Sequence, residues 1–277
     1  MSKIIVNTTF RDFKGNENDR MQINFLKSLQ RQTMQDFMLV VTIFNEGNVE
    51  EIVQSMLGNQ CVFIYDEMNG NYKFSLSKTF MNGVDYGLQN NADILLDCSS
   101  DIILQSNFLE VVAKNCCENS AGICHPNIFL NKTSAGKRVF EYGEISKGID
   151  ARYFSLDLFR NNHVYDLMNK YPSFDYGAGI EMQLCCIGIK YAKKRHNIFP
   201  ESKVLKVEND RGGAKGVFDY LLREGVKRNI PTVKQFMKSE GMPFDNVDLV
   251  GINKRYKPTK NWMQYRLFFA DEYFNKR

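Results

Sequence analysis

Apolar residues follow two rhythms along this chain, and the alternation between them predicts the fold class. Short runs rich in β-branched residues at Ile4-Ile5-Val6, Met38 to Ile43, Cys61 to Tyr65 and Ile94-Leu95-Leu96 read as buried strands. Between them the apolar positions recur every three or four residues. They are Met21, Phe25, Leu26 and Leu29, then Val49, Ile52, Val53 and Met56-Leu57, then Leu76, Phe80, Val84 and Leu88 within a helix from Phe74. That spacing stacks them on one face of a helix. Strands alternating with helices predict right-handed crossovers and a mostly parallel sheet covered on both faces.

Past residue 105 the pattern is less regular. Helices are expected over Asn107 to Ala113, Met182 to Tyr191, Phe218 to Lys227 and Trp262 to Phe274. Strands are expected near Gly122 to His125, Val139 to Tyr142, Tyr153 to Leu158 and Val204 to Glu208. No internal repeat or low-complexity linker divides the chain.

In open α/β sheets a ligand binds beyond the carboxyl ends of the strands. Four segments fall there: Asn7 to Arg11, Phe44 to Gly47, Asp66 to Asn71 and Asp97 to Asp101. All are rich in polar, acidic or glycine residues, which points to a polar ligand.

Bulk properties narrow the classes. With 277 residues, 43% hydrophobic and 25% charged, the chain has the make-up of a globular protein with a sizeable core. Its net charge of +4 is spread thinly, with no basic run that would mark a nucleic-acid footprint. No stretch nears the roughly 18 apolar residues needed to span a bilayer, and Met1 to Asn7 lacks the features of a signal peptide. The seven cysteines, with adjacent pairs at Cys116-Cys117 and Cys185-Cys186 and no CxxC spacing, read as reduced thiols of a cytoplasmic protein. His125, His163 and His196 are scattered without ligand spacing, and no Ser/His/Asp arrangement supports hydrolase chemistry.

Four places then resemble the inverting family-2 glycosyltransferases of the GT-A fold. Thr8-Thr9-Phe10-Arg11 looks like the family's Thr-aromatic-Asn-Arg turn after its first strand. Leu26-Lys-Ser-Leu-Gln-Arg-Gln-Thr-Met-Gln-Asp-Phe37 is similar to its "SLxxQTxxxF" helix, the most specific match. Asn45-Glu46-Gly47 stands where Asp-Asp-Gly is usual, and Ile94 to Leu109 follows the family's strand, acidic motif and helix. A looser likeness covers Asp175-Tyr-Gly-Ala-Gly-Ile-Glu-Met-Gln-Leu184.

The resemblance implies an α/β GT-A fold with a C-terminal helical extension. Residues 1–105 would form a donor-binding half, 106–245 the acceptor side and 246–277 the extension. It also implies transfer of a sugar, with inversion, from a nucleoside-diphosphate donor (UDP-sugar favoured) to a glycan or lipid-linked acceptor. The family's DxD motif aligns best with Ser99-Ser100-Asp101, so Ser99 replaces its first Asp; Asp97 lies two residues earlier. Asp101 is the expected ligand of Mn²⁺ or Mg²⁺, which would neutralise the leaving diphosphate. Ser99, Ser100 and Asp97 would reach the ribose or a metal-bound water.

Glu181 is the expected general base for the acceptor hydroxyl, with Asp175 as its understudy; Ile180 replaces the second acid of the family's pair. Thr8, Phe10, Arg11 and Glu46 would line the nucleoside, and Lys73 or Lys78 would reach the diphosphate. Each of these positions also has a plain structural reading. Asp97 and Asp101 suit caps of a helix starting near Ile102, Glu181 suits a helix N-terminal turn, and the lysines suit a solvated surface.

Lys206 to Gly216 suits either an anion-closing loop or a surface turn. The aromatic C-terminal helix beside Lys254, Arg255, Lys257 and Lys260 suits packing, a second subunit or peripheral membrane contact. Two alternatives of other classes stand beside the transferase. One is a catalytically silent GT-A domain that binds glycan or nucleotide, motivated by Ser99 and Ile180. The other is a sugar nucleotidyltransferase, which would need a Gly-rich basic loop after the first strand where this chain has Thr8 to Asp12.

Overall fold

The computed structural model describes residues 3–15, 17–44, 47–67, 75–124, 128–132, 138–142, 151–160, 163–172, 180–197, 201–207, 229 and 231–241. The first part of the chain runs β1 (Ile4–Thr9), α1 (Glu17–Gln30), β2 (Phe37–Ile43), α2 (Val49–Leu57), β3 (Cys61–Tyr65), α3 (Leu76–Gln89) and β4 (Ile94–Cys98). Each expected strand and helix of this stretch is present. α3 is capped by the Ser75 hydroxyl, which accepts from the Lys78 N–H.

The later part runs β5 (Ile102–Leu104), α4 (Phe108–Asn115), β6 (Ser120–Cys124), β7 (Ile128–Lys132), β8 (Arg138–Tyr142), β9 (Ala151–Ser155), α5 (Asp157–Arg160), α6 (Val164–Lys170), α7 (Ile180–Lys190), β10 (Lys194–Asn197) and β11 (Val204–Val207). A further helix, α8, covers residues 231–239. Seven strands form one sheet in the order β10-β6-β9-β4-β1-β2-β3. Only β9 runs against its neighbours, so the sheet is mostly parallel as expected.

Strand alternation builds two cores, one on each face. Ile5, Val40, Leu95 and Phe154 point to the face covered by α3, α5, α6, α7 and α8, where they meet Phe80, Val84, Leu184 and Phe236. Ile4, Val6, Leu39, Val41, Ile94 and Leu96 point to the other, against Phe25, Leu26, Leu29, Val53 and Phe108 of α1, α2 and α4. Strands buried on both faces must be apolar at every position, which is why these runs lack the alternation of a one-sided sheet.

Several features depart from the sequence reading, and β7, β10, α5, α6 and α8 are elements it did not expect. A second sheet, ordered β5-β11-β7-β8, was not expected. Ile102 opens β5, which pairs antiparallel with β11, so no helix begins there for Asp97 or Asp101 to cap. The strand expected over Tyr153 to Leu158 ends at Ser155, and Leu158 lies in α5. Glu46, Lys73, His125 and Asp175, most of the 206–216 segment, the 218–227 helix and the 246–277 extension fall outside the described residues.

Candidate functional site

Because β1 to β4 are parallel, their carboxyl ends share one rim, and the first turn of β9 joins it from the opposite direction. In the sheet register Asn7 lies beside Asp97, and Asp97 beside Arg152. A polar row of three residues on three strands therefore caps the apolar row Ile5, Leu95 and Phe154.

Three side-chain contacts interlock the row. Asn7 Nδ2 donates to Asp97 Oδ1 at 2.9 Å. Arg152 Nε donates to Asp97 Oδ2 at 2.8 Å, and Arg152 Nη2 lies 2.7 Å from the same oxygen. The side chains of Arg152 and Asp97 are only 9% and 13% exposed. A guanidinium never loses its charge in a protein and forks naturally onto a carboxylate, so the pair is a fixed, nearly buried dipole at the rim. Gly83 of α3 makes room beneath it, since a Cβ there would sit 2.5 Å from Asn7 Cγ.

A second cluster sits at the ends of β2 and β3. Lys78 Nζ lies 2.6 Å from Asp66 Oδ1 and donates to the Glu67 carbonyl at 2.6 Å. Asn82 Nδ2 is 3.3 Å from both Asp66 Oδ2 and Thr42 Oγ1, and Thr9 Oγ1 donates to the Thr42 carbonyl at 2.8 Å. Lys78 thus stands at the rim, tied to Asp66.

The loop after β1 is held by side chains that clasp its backbone. Gln22 accepts from the Arg11 N–H at 2.7 Å and donates to the Arg11 carbonyl at 2.9 Å. Asn48 does the same for Phe13, at 3.1 and 3.0 Å. Arg11 keeps its side chain exposed on this anchored backbone. The Phe10 ring lies 6.2 Å from Phe13 and 6.1 Å from Phe25. Thr8 is buried, its hydroxyl donating to the Cys98 carbonyl at 2.8 Å and so tying β1 to β4. Ser99, Ser100 and Asp101 form the half-buried turn between β4 and β5, on the same rim. Glu181 is the second residue of α7.

The structure thus gathers Thr8, Phe10, Arg11, Lys78, Asp97, Ser99, Ser100 and Asp101 at or just beneath one rim. Sequence reading missed Asn82 and Arg152 as members of this constellation, and passed over Asn7 and Asp66 within their segments. Asn82 carried a signal, one helical turn beyond Lys78 on α3. Arg152 carried none, because its partner lies 55 residues earlier.

The same residues test the fit of a divalent cation. Both oxygens of Asp97 already accept hydrogen bonds, one of them from a cation. Ser99 and Ser100 offer neutral hydroxyls, so Asp101 is the one carboxylate that the turn itself contributes. Among the described residues no group of three or more His, Cys, Asp or Glu side chains converges as a metal site. Hard cations of this class take several oxygen ligands, carboxylates foremost, so among the described residues the β4–β5 turn does not supply the donor set such a cation takes.

No protein-family profile matches the chain, and no curated protein matches it in sequence. Solved structures do. Residues 1–349 of S. aureus TarS in complex with UDP-GlcNAc superpose with a TM-score of 0.54 at 10% identity, covering 99% of this chain and 83% of that one. The same TarS fragment with UDP gives a TM-score of 0.44 at 11% identity over 96% and 80% of the two chains. A 4-diphosphocytidyl-2C-methyl-D-erythritol synthase gives 0.38 at 15% over 58% and 79%. The first likeness shows the fold, a GT-A, Rossmann-like α/β arrangement. Among the described residues no helix is long and apolar enough to cross a membrane.

Proposed function

We propose that this chain is a glycosyltransferase that moves a sugar, with inversion, from a nucleoside-diphosphate donor to a hydroxyl of a glycan or lipid-linked acceptor. The observation that carries the reading is the polar rim. The carboxyl ends of four parallel strands carry Arg11, Asp97 and the Ser99-Ser100-Asp101 turn, and Lys78 of α3 and Arg152 of β9 join them there, where an α/β sheet of this kind takes its ligand. A protein of the same fold has been captured with UDP-GlcNAc, which makes a UDP-sugar the first donor to try.

In this reading the exposed Arg11 and the Lys78 ammonium face the donor's phosphates and nucleoside from the β1 and β3 sides. Glu181, in the first turn of α7, takes the proton from the acceptor hydroxyl as that oxygen attacks the anomeric carbon from the side opposite the diphosphate. The bond to the diphosphate breaks as the new glycosidic bond forms, so the configuration inverts. Asp175 is the alternate base.

The test is release of nucleoside diphosphate from a panel of UDP-, GDP- and dTDP-sugars by wild type and Glu181→Gln. One donor should turn over, and Glu181→Gln should slow release by about 10²–10⁴-fold while leaving donor binding in place, the range expected for a lost general base. Binding without turnover on every acceptor tried would favour the silent, ligand-binding domain. Binding of none of the donors would end the transferase reading.

A further inference from the structure

Resting on the nucleotide reading of the rim, we infer that Arg152 occupies the Asp97 carboxylate at the β4 end, and that the chain therefore takes its nucleoside diphosphate without a divalent cation held by the β4–β5 turn. Asp97 sits at the last turn of β4, where the register places it between Asn7 on one side and Arg152 on the other. Its Oδ1 accepts from Asn7 at 2.9 Å and its Oδ2 from Arg152 at 2.8 Å. A cation bound to this carboxylate would have to share it with a guanidinium that is 9% exposed, cannot titrate and has little room to withdraw. Like charges that close, in a site shielded from water, repel strongly.

The geometry is set by the strands themselves. Arg152 is the second residue of β9, and its side chain leaves the sheet on the same face as Phe154, as Asp97 does with Leu95. Backbone pairing therefore presents the two side chains to each other before any ligand arrives. Arg152 acts here through Asp97, so it is a positioning residue. A guanidinium on a strand holds the carboxylate permanently, where a metal would depend on its free concentration and on pH.

The experiment uses full-length protein, UDP as the ligand and Mn²⁺ as the probe cation. UDP affinity is measured by calorimetry in excess Mn²⁺ and in excess EDTA, and Mn²⁺ binding to the protein alone is followed by the loss of its free-ion EPR signal. The proteins compared are wild type, Arg152→Gln and the double variant Asp97→Asn/Arg152→Gln, with thermal melts to report folding. The wild type should bind UDP equally in both media, within about twofold, and should leave the Mn²⁺ signal unchanged. Arg152→Gln frees the Asp97 carboxylate, so Mn²⁺ should bind and should tighten UDP by about tenfold or more; the double variant should lose that gain.

UDP binding to wild type that tightens about tenfold with Mn²⁺ would overturn the inference while leaving the nucleotide reading intact. A folded Arg152→Gln that gains no Mn²⁺ response would overturn the role given to Arg152. Failure of UDP to bind wild type in either medium would overturn the nucleotide reading and this inference with it. If Arg152→Gln does not fold, the wild-type comparison decides alone.

Discussion

Gly122 of β6 faces Tyr153 of β9 directly across the antiparallel pair, and a Cβ at Gly122 would lie 2.1 Å from the tyrosine ring. The ring is fully buried and has no free direction in which to retreat. Gly122→Ala should therefore cost about 1–3 kcal/mol, the usual penalty for overpacking a core. A lower urea midpoint at unchanged m-value would confirm it, and an unaltered midpoint would show that the ring can move. Burial also pushes the Tyr153 hydroxyl well above its ordinary range, and the half-buried Cys116 thiol up to about 11. The Cys116 thiol therefore stays protonated at neutral pH, a poor nucleophile and a poor metal ligand.

At the scale of elements, the Ser-Leu-x-x-Gln-Thr stretch at the end of α1 turns out to be a clamp. Gln32 is buried; its Nε2 donates to the carbonyls of Ser28 and Gln105 at 2.9 Å, and its Oε1 accepts from the Leu109 N–H at 3.0 Å. The Thr33 N–H donates to the Ser106 carbonyl at 2.8 Å, while the Ser28 hydroxyl accepts from the Leu104 N–H at 3.2 Å. The segment from β5 into α4 is thus bolted to α1, and with it the turn that carries Asp101. Gln32→Ala should leave buried backbone groups unpaired and cost about 1–3 kcal/mol. Hydrogen exchange should show the Leu109 amide losing protection relative to amides of β1 and β2; uniform protection would refute the clamp.

β1, β2 and β4 were legible in the sequence because each is an apolar run buried on both faces, and β3 because it keeps an apolar run even at the half-buried sheet edge. β5 was not, since Ile102–Leu104 is three residues long and its partner β11 lies about a hundred residues further on. β10 was also invisible: Lys-Arg-His-Asn at a sheet edge carries no apolar period. At the site, Asp97 and Asp101 stood out beside a strand, whereas Arg152 takes its meaning from sheet register alone.

Across the whole molecule, Glu240 ties the end of α8 to two other helices. Its carboxylate accepts from Lys190 Nζ at 2.7 Å and from the Tyr191 hydroxyl, and His163 at the start of α6 lies 3.9 Å away. Burial alone would raise this carboxyl, but the hydrogen bonds from Lys190 and Tyr191 and the charge of Lys190 outweigh it, so it rests below its ordinary value of 4.5. A carboxyl lowered on folding stabilises the protein above its unfolded value, and that stability drains away as pH falls through the folded value. Melting temperature should therefore drop as pH is taken below 4.5, and Glu240→Gln should start lower at neutral pH and converge with wild type in acid. Parallel curves would mean the cluster contributes nothing.

The strand order has a further consequence for how the chain is made. β1 leaves the ribosome before the other strands of its sheet, yet it ends in the middle of that seven-stranded sheet, between β2 and β4. Until residue 98 has been synthesised, the Ile-Ile-Val run lacks one of its two pairing partners and presents a bare apolar edge, the kind of surface that recruits other chains. Nascent protein must hold that edge unspoiled across some ninety residues of translation, so slow synthesis or a stop before β4 should favour aggregation over a folded fragment.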